Sequence, residues 1–167
     1  GLWMVGCVYI FVSWPAAVLA PASFVAPNYL FFRYGWFIGD EAGEQRDPGI
    51  VLFPAAFAGV LAFFWVGGRP ELAIPAFMPL TIGDATANVI GRRWGARKIC
   101  LFGNVRSLGG STSMLVFSFA TLMAAMWLIQ GGPSASLIII STVTAVLATV
   151  AELVSPFGTD NLTIPLT

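Results

Sequence analysis

Histidine is absent from this 167-residue chain. That removes imidazole general bases, histidine metal ligands and Ser–His triads at once. Cysteine is nearly absent. Cys7 and Cys100 are the two, too few for a disulfide framework and without metal-ligand spacing. Charge is scarce as well: eight basic and eight acidic residues make up 10% of the chain, against roughly 25% in a soluble domain. Hydrophobic residues take their place at 57%, with a mean hydropathy of +0.85. The class that fits is an integral membrane protein, and the length suits one domain over residues 1–167. Net charge is zero, so partners must be read from where the charges lie. The opening "GLWMVGCVYIFVSWP" lacks an initiator Met, a basic n-region and a small-residue cleavage site. It reads as a span entered midway, with residues expected upstream, and not as a signal peptide.

A membrane span needs about 20 apolar residues, with a range of about 17–25. Segments 2–20, 22–38, 51–66, 72–90, 112–130 and 134–155 meet or approach that length. They predict an all-α polytopic bundle of about six transmembrane helices. The Pro-bearing "APASFVAPN" separates the first two, and the tight turn "QGGPS" joins the last two.

The charges then sort by loop. Segment 39–50 holds Asp40, Glu41, Glu44, Arg46 and Asp47, and 67–71 holds Arg69 and Glu71. Segment 91–111 carries five of the eight basic residues, and no acid occurs between 85 and 151. With alternating spans, 39–50, 91–111 and the tail after 155 share one face. Its excess of Lys and Arg marks it as cytoplasmic or the organellar equivalent.

Asp84 lies seven residues before Gly91, roughly 10 Å below the end of its helix. An ionised carboxylate there is costly unless it faces the bundle interior, a water-filled cavity or a cation. Asn88 follows four residues later, on the same face and one turn nearer the water. Such an oxygen pair suits Mg²⁺, which is commonly held by one or two carboxylates plus substrate phosphates. The alternative is a polar contact between helices, with Arg33 as a partner.

The loop "GRRWGARKICLFGNVRSLGGS" sets glycines among Arg92, Arg93, Arg97, Lys98 and Arg106. Glycine lets backbone amides approach an anion, and arginine forks and a lysine point charge match phosphate oxygens. Ser107 and Ser111 can cap the next helix, whose N-terminus is itself an anion seat. The alternative is a positive-inside anchor on lipid headgroups, an even match for Arg92 and Arg93 alone. No GxxxxGK[ST] occurs, so this is not a Walker A loop.

Glu152 falls near the end of the last span, and Asp160–Asn161 just beyond it. Glu152 can act in catalysis or pair with Arg33 or a loop arginine. Asp160 and Asn161 can form a turn, or serve a metal or nucleotide on the face that holds Asp84. Glu44, Arg46 and Asp47 can hydrogen-bond a nucleotide, whereas Asp40 and Glu41 read as solvated. Trp3, Trp14, Trp36 and Trp65 read as interface belts or helix packing.

Three stretches, "GDATANVIGRRWGARKI", "NVRSLGGSTSM" and "AELVSPFGTDNLTIPL", together resemble the polyprenol kinase family of phytol, farnesol, dolichol and CTP-dependent diacylglycerol kinases. The phytol kinase branch is the nearest, with "SWP" at 13–15 and "RDPG" at 46–49 included. The resemblance implies a membrane enzyme that transfers the γ-phosphate of CTP, or another nucleoside triphosphate, to a long isoprenoid alcohol with Mg²⁺. It gives catalytic roles to Asp84 and Glu152. Resemblance and residue chemistry together place nucleotide contacts at Gly91, Arg92, Gly95, Arg97, Lys98, Arg106, Ser107, Gly110 and Ser111, and metal ligands among Asp84, Asn88, Asp160 and Asn161. Arg106 departs from the lysine usual there, Asn88 from an acid or serine, and Trp3 stands about where a histidine is expected. The implied setting is a bacterial inner membrane, plastid or ER membrane, with membrane lipids around it and no nucleic acid as partner. Two rivals remain at this point. One is a phosphatidate cytidylyltransferase-like enzyme, which shares the Asp-then-basic-loop pattern. The other is a transporter or scaffold without catalysis.

Overall fold

The computed structural model describes residues 3–34, 48–95, 97–101, 104–156 and 158–167. The loop expected to carry Asp40, Glu41, Glu44, Arg46 and Asp47, together with Trp36, lies outside them. The described chain is nearly all helix. It runs α1 (Trp3–Ile10), α2 (Trp14–Ala22), α3 (Val25–Tyr34), α4 (Gly49–Val66), α5 (Ala73–Met78), α6 (Ala85–Trp94), α7 (Leu108–Gln130), α8 (Ala135–Val154) and α9 (Asp160–Thr163). One antiparallel hairpin, β1 (Lys98–Leu101) and β2 (Asn104–Ser107), interrupts it.

Among the described residues, four helical stretches are long and apolar enough to cross a membrane: Trp14–Tyr34, Gly49–Val66, Leu108–Gln130 and Ala135–Val154. The expected boundaries shift at the N-terminal end. The span expected over 2–20 is interrupted at 11–13, where Ser13 is extended and Pro15 opens a new helix. Proline's fixed φ and missing N–H suit a first helical turn. The "APASFVAPN" stretch, expected to separate a pair of spans, is only a turn between α2 and α3. Both helices pack along α4, and Asn28 Nδ2 donates to the Ile50 carbonyl at 2.9 Å.

The α7–α8 pair meets expectation. Gly131 closes α7 in the left-handed region at φ 76°, the conformation for which glycine is favoured. Ser134 then caps α8, its Oγ accepting from Leu137 N at 3.2 Å. The buried face of α8 is Leu137, Ser141, Ala145, Ala148 and Glu152, a stripe at helical spacing. On α7, which packs against α8, α6 and the Pro79–Asp84 segment, Ser111, Met114, Ser118, Leu122 and Met126 are buried. Small residues on both helices permit close approach, as in membrane bundles. On the outward faces Val116, Leu128, Ile139 and Val143 are exposed, an apolar surface suited to lipid and not to water.

Between α5 and α6 the backbone widens into a π segment, Pro79–Asp84. Pro79 has no N–H to give and its ring presses on the preceding turn, and a π turn is one way to absorb that. Thr86 Oγ1 donates to the Ile82 and Gly83 carbonyls, each at 2.8 Å, closing the segment into α6. Gly83 lies so close to α7 that a Cβ would overlap Ser118 Oγ and Met114 Sδ. That contact fixes the depth and rotation of the neighbouring Asp84. After α8 the tail turns back on the bundle, where Ile164 and Pro165 are buried against α4, α5 and α8.

Candidate functional site

The segment expected as a glycine loop is more ordered than that. α6 runs on to Trp94, and the hairpin pairs Lys98 with Ser107 and Ile99 with Arg106. Ser107 ends the hairpin and caps α7, its Oγ accepting from Gly110 N at 3.0 Å. Gly91 and Gly110 let α6 and α7 cross at this cap. A Cβ on Gly91 would come 2.8 Å from Ser107 Oγ, and one on Gly110 would come 3.0 Å from the Ala87 carbonyl.

These elements enclose a cavity of about 390 Å³ at one end of the bundle. Asn88, Gly91, Arg92 and Gly95 contribute from α6 and its end, Lys98 and Arg106 from the hairpin, Ser107, Gly110 and Ser111 from the α7 start, and Glu152 from α8. Three cations and a long helix's N-terminus thus face one space, a strong seat for phosphate.

Arg106 is the hub. Its Nη1 lies 3.3 Å from Glu152 Oε1 and its Nη2 3.1 Å from Asp160 Oδ2. Of the two partners expected for Glu152, the loop arginine is the one found. Asp160 Oδ1 accepts from the Asn161 amide at 2.9 Å; the turn falls at 158–159, and Asp160–Asn161 instead open the short α9, fastened to the hairpin through Asp160. The second Glu152 oxygen, Oε2, is buried without a hydrogen-bond partner among the described residues, and so is Ser111 Oγ. A buried carboxylate oxygen and hydroxyl left this way, on the wall of a cavity, invite a ligand.

Asp84 sits one turn deeper. Asn88 Nδ2 donates to its Oδ2 at 3.1 Å and to its carbonyl at 3.1 Å, so the expected same-face pair forms. Asp84 and Asp160 both lie within electrostatic reach of Glu152. Among the described residues no three acids or cysteines are placed to hold a metal by themselves. The four expected ligands stand as two pairs, Asp84–Asn88 and Asp160–Asn161. Hard oxygens from one or two carboxylates nonetheless suit Mg²⁺ when phosphates complete the shell, and Glu152 Oε2 adds an unengaged oxygen.

Two cations stand apart from the cavity. Arg93 stacks over Trp94 at 5.4 Å. Arg97 is exposed outside the wall, its carbonyl accepting from Leu108 N at 2.9 Å. The hairpin is the element that sequence reasoning missed. Its signal was two short runs, "KICL" and "NVRS", separated by two residues of which one is Gly103, a hairpin spacing.

No family model matches the chain, and no solved structure matches it. Two curated proteins do. A phytol kinase of Synechocystis sp. is 33% identical over 120 residues, covering 69% of this chain and 49% of that protein. A probable chloroplastic phytol kinase 3 of Glycine max is 35% identical over 135 residues, covering 75% of this chain and 41% of that protein. The chain therefore spans about half the length of the curated relatives it matches. With the motif order, the helical membrane bundle and this identity in agreement, the chain belongs to the phytol kinase and polyprenol kinase family.

Proposed function

We propose that the protein is a membrane lipid-alcohol kinase, taking the γ-phosphate of a nucleoside triphosphate, CTP in our reading, to an isoprenoid alcohol such as phytol. The observation that carries this is one cavity lined by Arg92, Lys98 and Arg106 together with Glu152, whose Oε2 is buried and unengaged among the described residues. The cations hold and neutralise the donor's phosphates. The carboxylate oxygen stands where an attacking hydroxyl needs a proton acceptor.

Phosphoryl transfer is mainly positioning and charge neutralisation. Arg92, Lys98 and the amides at the α7 start hold the phosphate oxygens. The alcohol oxygen bonds to the γ-phosphorus, the bond from that phosphorus to the β-phosphate bridging oxygen breaks, and the nucleoside diphosphate leaves. Glu152 Oε2 takes the hydroxyl proton. It suits this better than Asp84 because Glu152 lines the cavity and Asp84 does not. Arg106 keeps Glu152 in place through its other oxygen. Asp84 and Asn88 would hold Mg²⁺, which would supply neutralisation of the donor's phosphate charge. In this reading the active face is cytoplasmic or its organellar equivalent.

Purified protein with γ-labelled CTP, Mg²⁺ and a panel of phytol, farnesol, dolichol and diacylglycerol tests the proposal. A labelled lipid phosphate with release of CDP is expected. Pyrophosphate release with a CDP-lipid product would instead identify a cytidylyltransferase.

A further inference from the structure

A second cavity, of about 680 Å³, lies between α4, α5, α7, α8 and the returning tail and opens on the apolar surface of the bundle, where Phe63 and Leu166 are exposed. Its size falls within the roughly 300–1,000 Å³ of ligand sites. Phe63, Leu122, Met126 and Leu166 give it an apolar wall, interrupted by Ser141 and Thr144. Two helices measure its distance from the polar cavity independently. Leu122 is eleven residues beyond Ser111 on α7 and Ser141 eleven before Glu152 on α8, about 16 Å in each case at 1.5 Å per residue.

One short segment belongs to both places. Asp160 is bridged to Arg106 beside the polar cavity, while Pro165 and Leu166 of the same segment line the apolar one. The α8 stripe does likewise, with Glu152 at one end and Ser141 at the other. Between the two levels Met114, Ala145 and Ala148 are fully buried.

We infer that this cavity holds the hydrocarbon tail of the acceptor alcohol, and that its walls at Gly59 and Ala76 set the chain length accepted. This rests on the lipid-alcohol kinase reading above. A polar headgroup cannot be the occupant, because few polar groups here could repay its desolvation. A single hydrocarbon chain meets no such cost, and its hydroxyl remains at the polar cavity. Gly59 gives a handle: it lines the cavity and a Cβ there meets nothing within 4 Å.

The test compares ten-, fifteen- and twenty-carbon isoprenoid alcohols on the protein in lipid nanodiscs, wild type against Gly59→Leu and Ala76→Leu. In parallel, a twenty-carbon alcohol with a diazirine at its far end is photo-cross-linked and the labelled peptides mapped. The variants should lower kcat/KM for the twenty-carbon alcohol on the order of 10- to 100-fold, since each excluded methylene forfeits its burial. The ten-carbon alcohol and the KM for nucleotide should not move. Cross-links should fall at Phe63 and Met126 and vanish in the variants. If alcohols are phosphorylated but both variants treat all lengths alike, or the label lands elsewhere, the tail site is wrong and the kinase reading stands. If no alcohol is phosphorylated but the label falls in this cavity and vanishes in the variants, the tail site stands and the kinase reading falls.

Discussion

Arg106 and Asp160, 54 residues apart in sequence, meet with Nη2 3.1 Å from Oδ2, and the same guanidinium holds Glu152. One side chain thereby ties the hairpin, the end of α8 and the returning tail together. Arg106 should accordingly matter to folding as well as to nucleotide. Arg106→Gln leaves Glu152 buried without its charge partner, a loss of about 3 kcal/mol, and thermal unfolding in detergent should show it. Arg106→Lys should recover only a fraction, because a single ammonium cannot reproduce a fork that reaches two carboxylates. Equal melting of the Gln variant and wild type would contradict the hub.

Lys98 and Arg93 separate phosphate cradle from membrane anchor. Lys98→Gln should reduce kcat/KM for CTP on the order of 10- to 100-fold, the worth of one charge-assisted hydrogen bond, with the KM for alcohol unchanged. Arg93→Gln, whose guanidinium lies over Trp94, should cost little. Intact CTP kinetics in Lys98→Gln, with reduced membrane insertion, would make the hairpin an anchor.

Asp84→Asn should abolish transfer while the protein stays folded in detergent, since it keeps the shape of the side chain and removes its charge. Titrating Mg²⁺ provides the check. Full activity at saturating Mg²⁺ would take Asp84 out of the reaction.

Gly83 makes a packing prediction. Gly83→Ala drives a Cβ into Ser118 Oγ and Met114 Sδ, overpacking that typically costs about 1–3 kcal/mol. Ser118→Ala in the same chain should return some of the loss. A double-mutant cycle on unfolding free energies measures the coupling, and strict additivity would show that the two do not touch.

The two native cysteines report topology without mutation. Cys100 is exposed on the hairpin and Cys7 is buried, so an impermeant maleimide should label the wild type from the hairpin face alone. A cysteine at Thr159 should label from that same face and one at Gly131 from the opposite one. Labelling of Cys100 and Thr159→Cys from opposite faces would contradict the shared site.

Local signals sufficed for much of this protein. Scarce charge and long apolar runs determine a membrane bundle, because desolvation acts residue by residue. Gly131 and Ser134 determine the α7–α8 connection through backbone rules that need no partner. The four-residue spacing of Asp84 and Asn88 determines their pairing, since helical periodicity alone puts them on one face. The tertiary structure decided what depends on distant chain. It ran α2 into α3 with only a turn between and broke the helix at Ser13 instead. It folded "KICLFGNVRS" into a hairpin that sets Lys98 and Arg106 on the cavity lining and leaves Arg97 off it. It chose Arg106 over Arg33 for Glu152, because the partner of a buried charge is settled by which elements come together. No periodicity encodes the return of the tail that brings Asp160 to Arg106. That contact exists because Ile164 and Pro165 find an apolar berth against α4, α5 and α8.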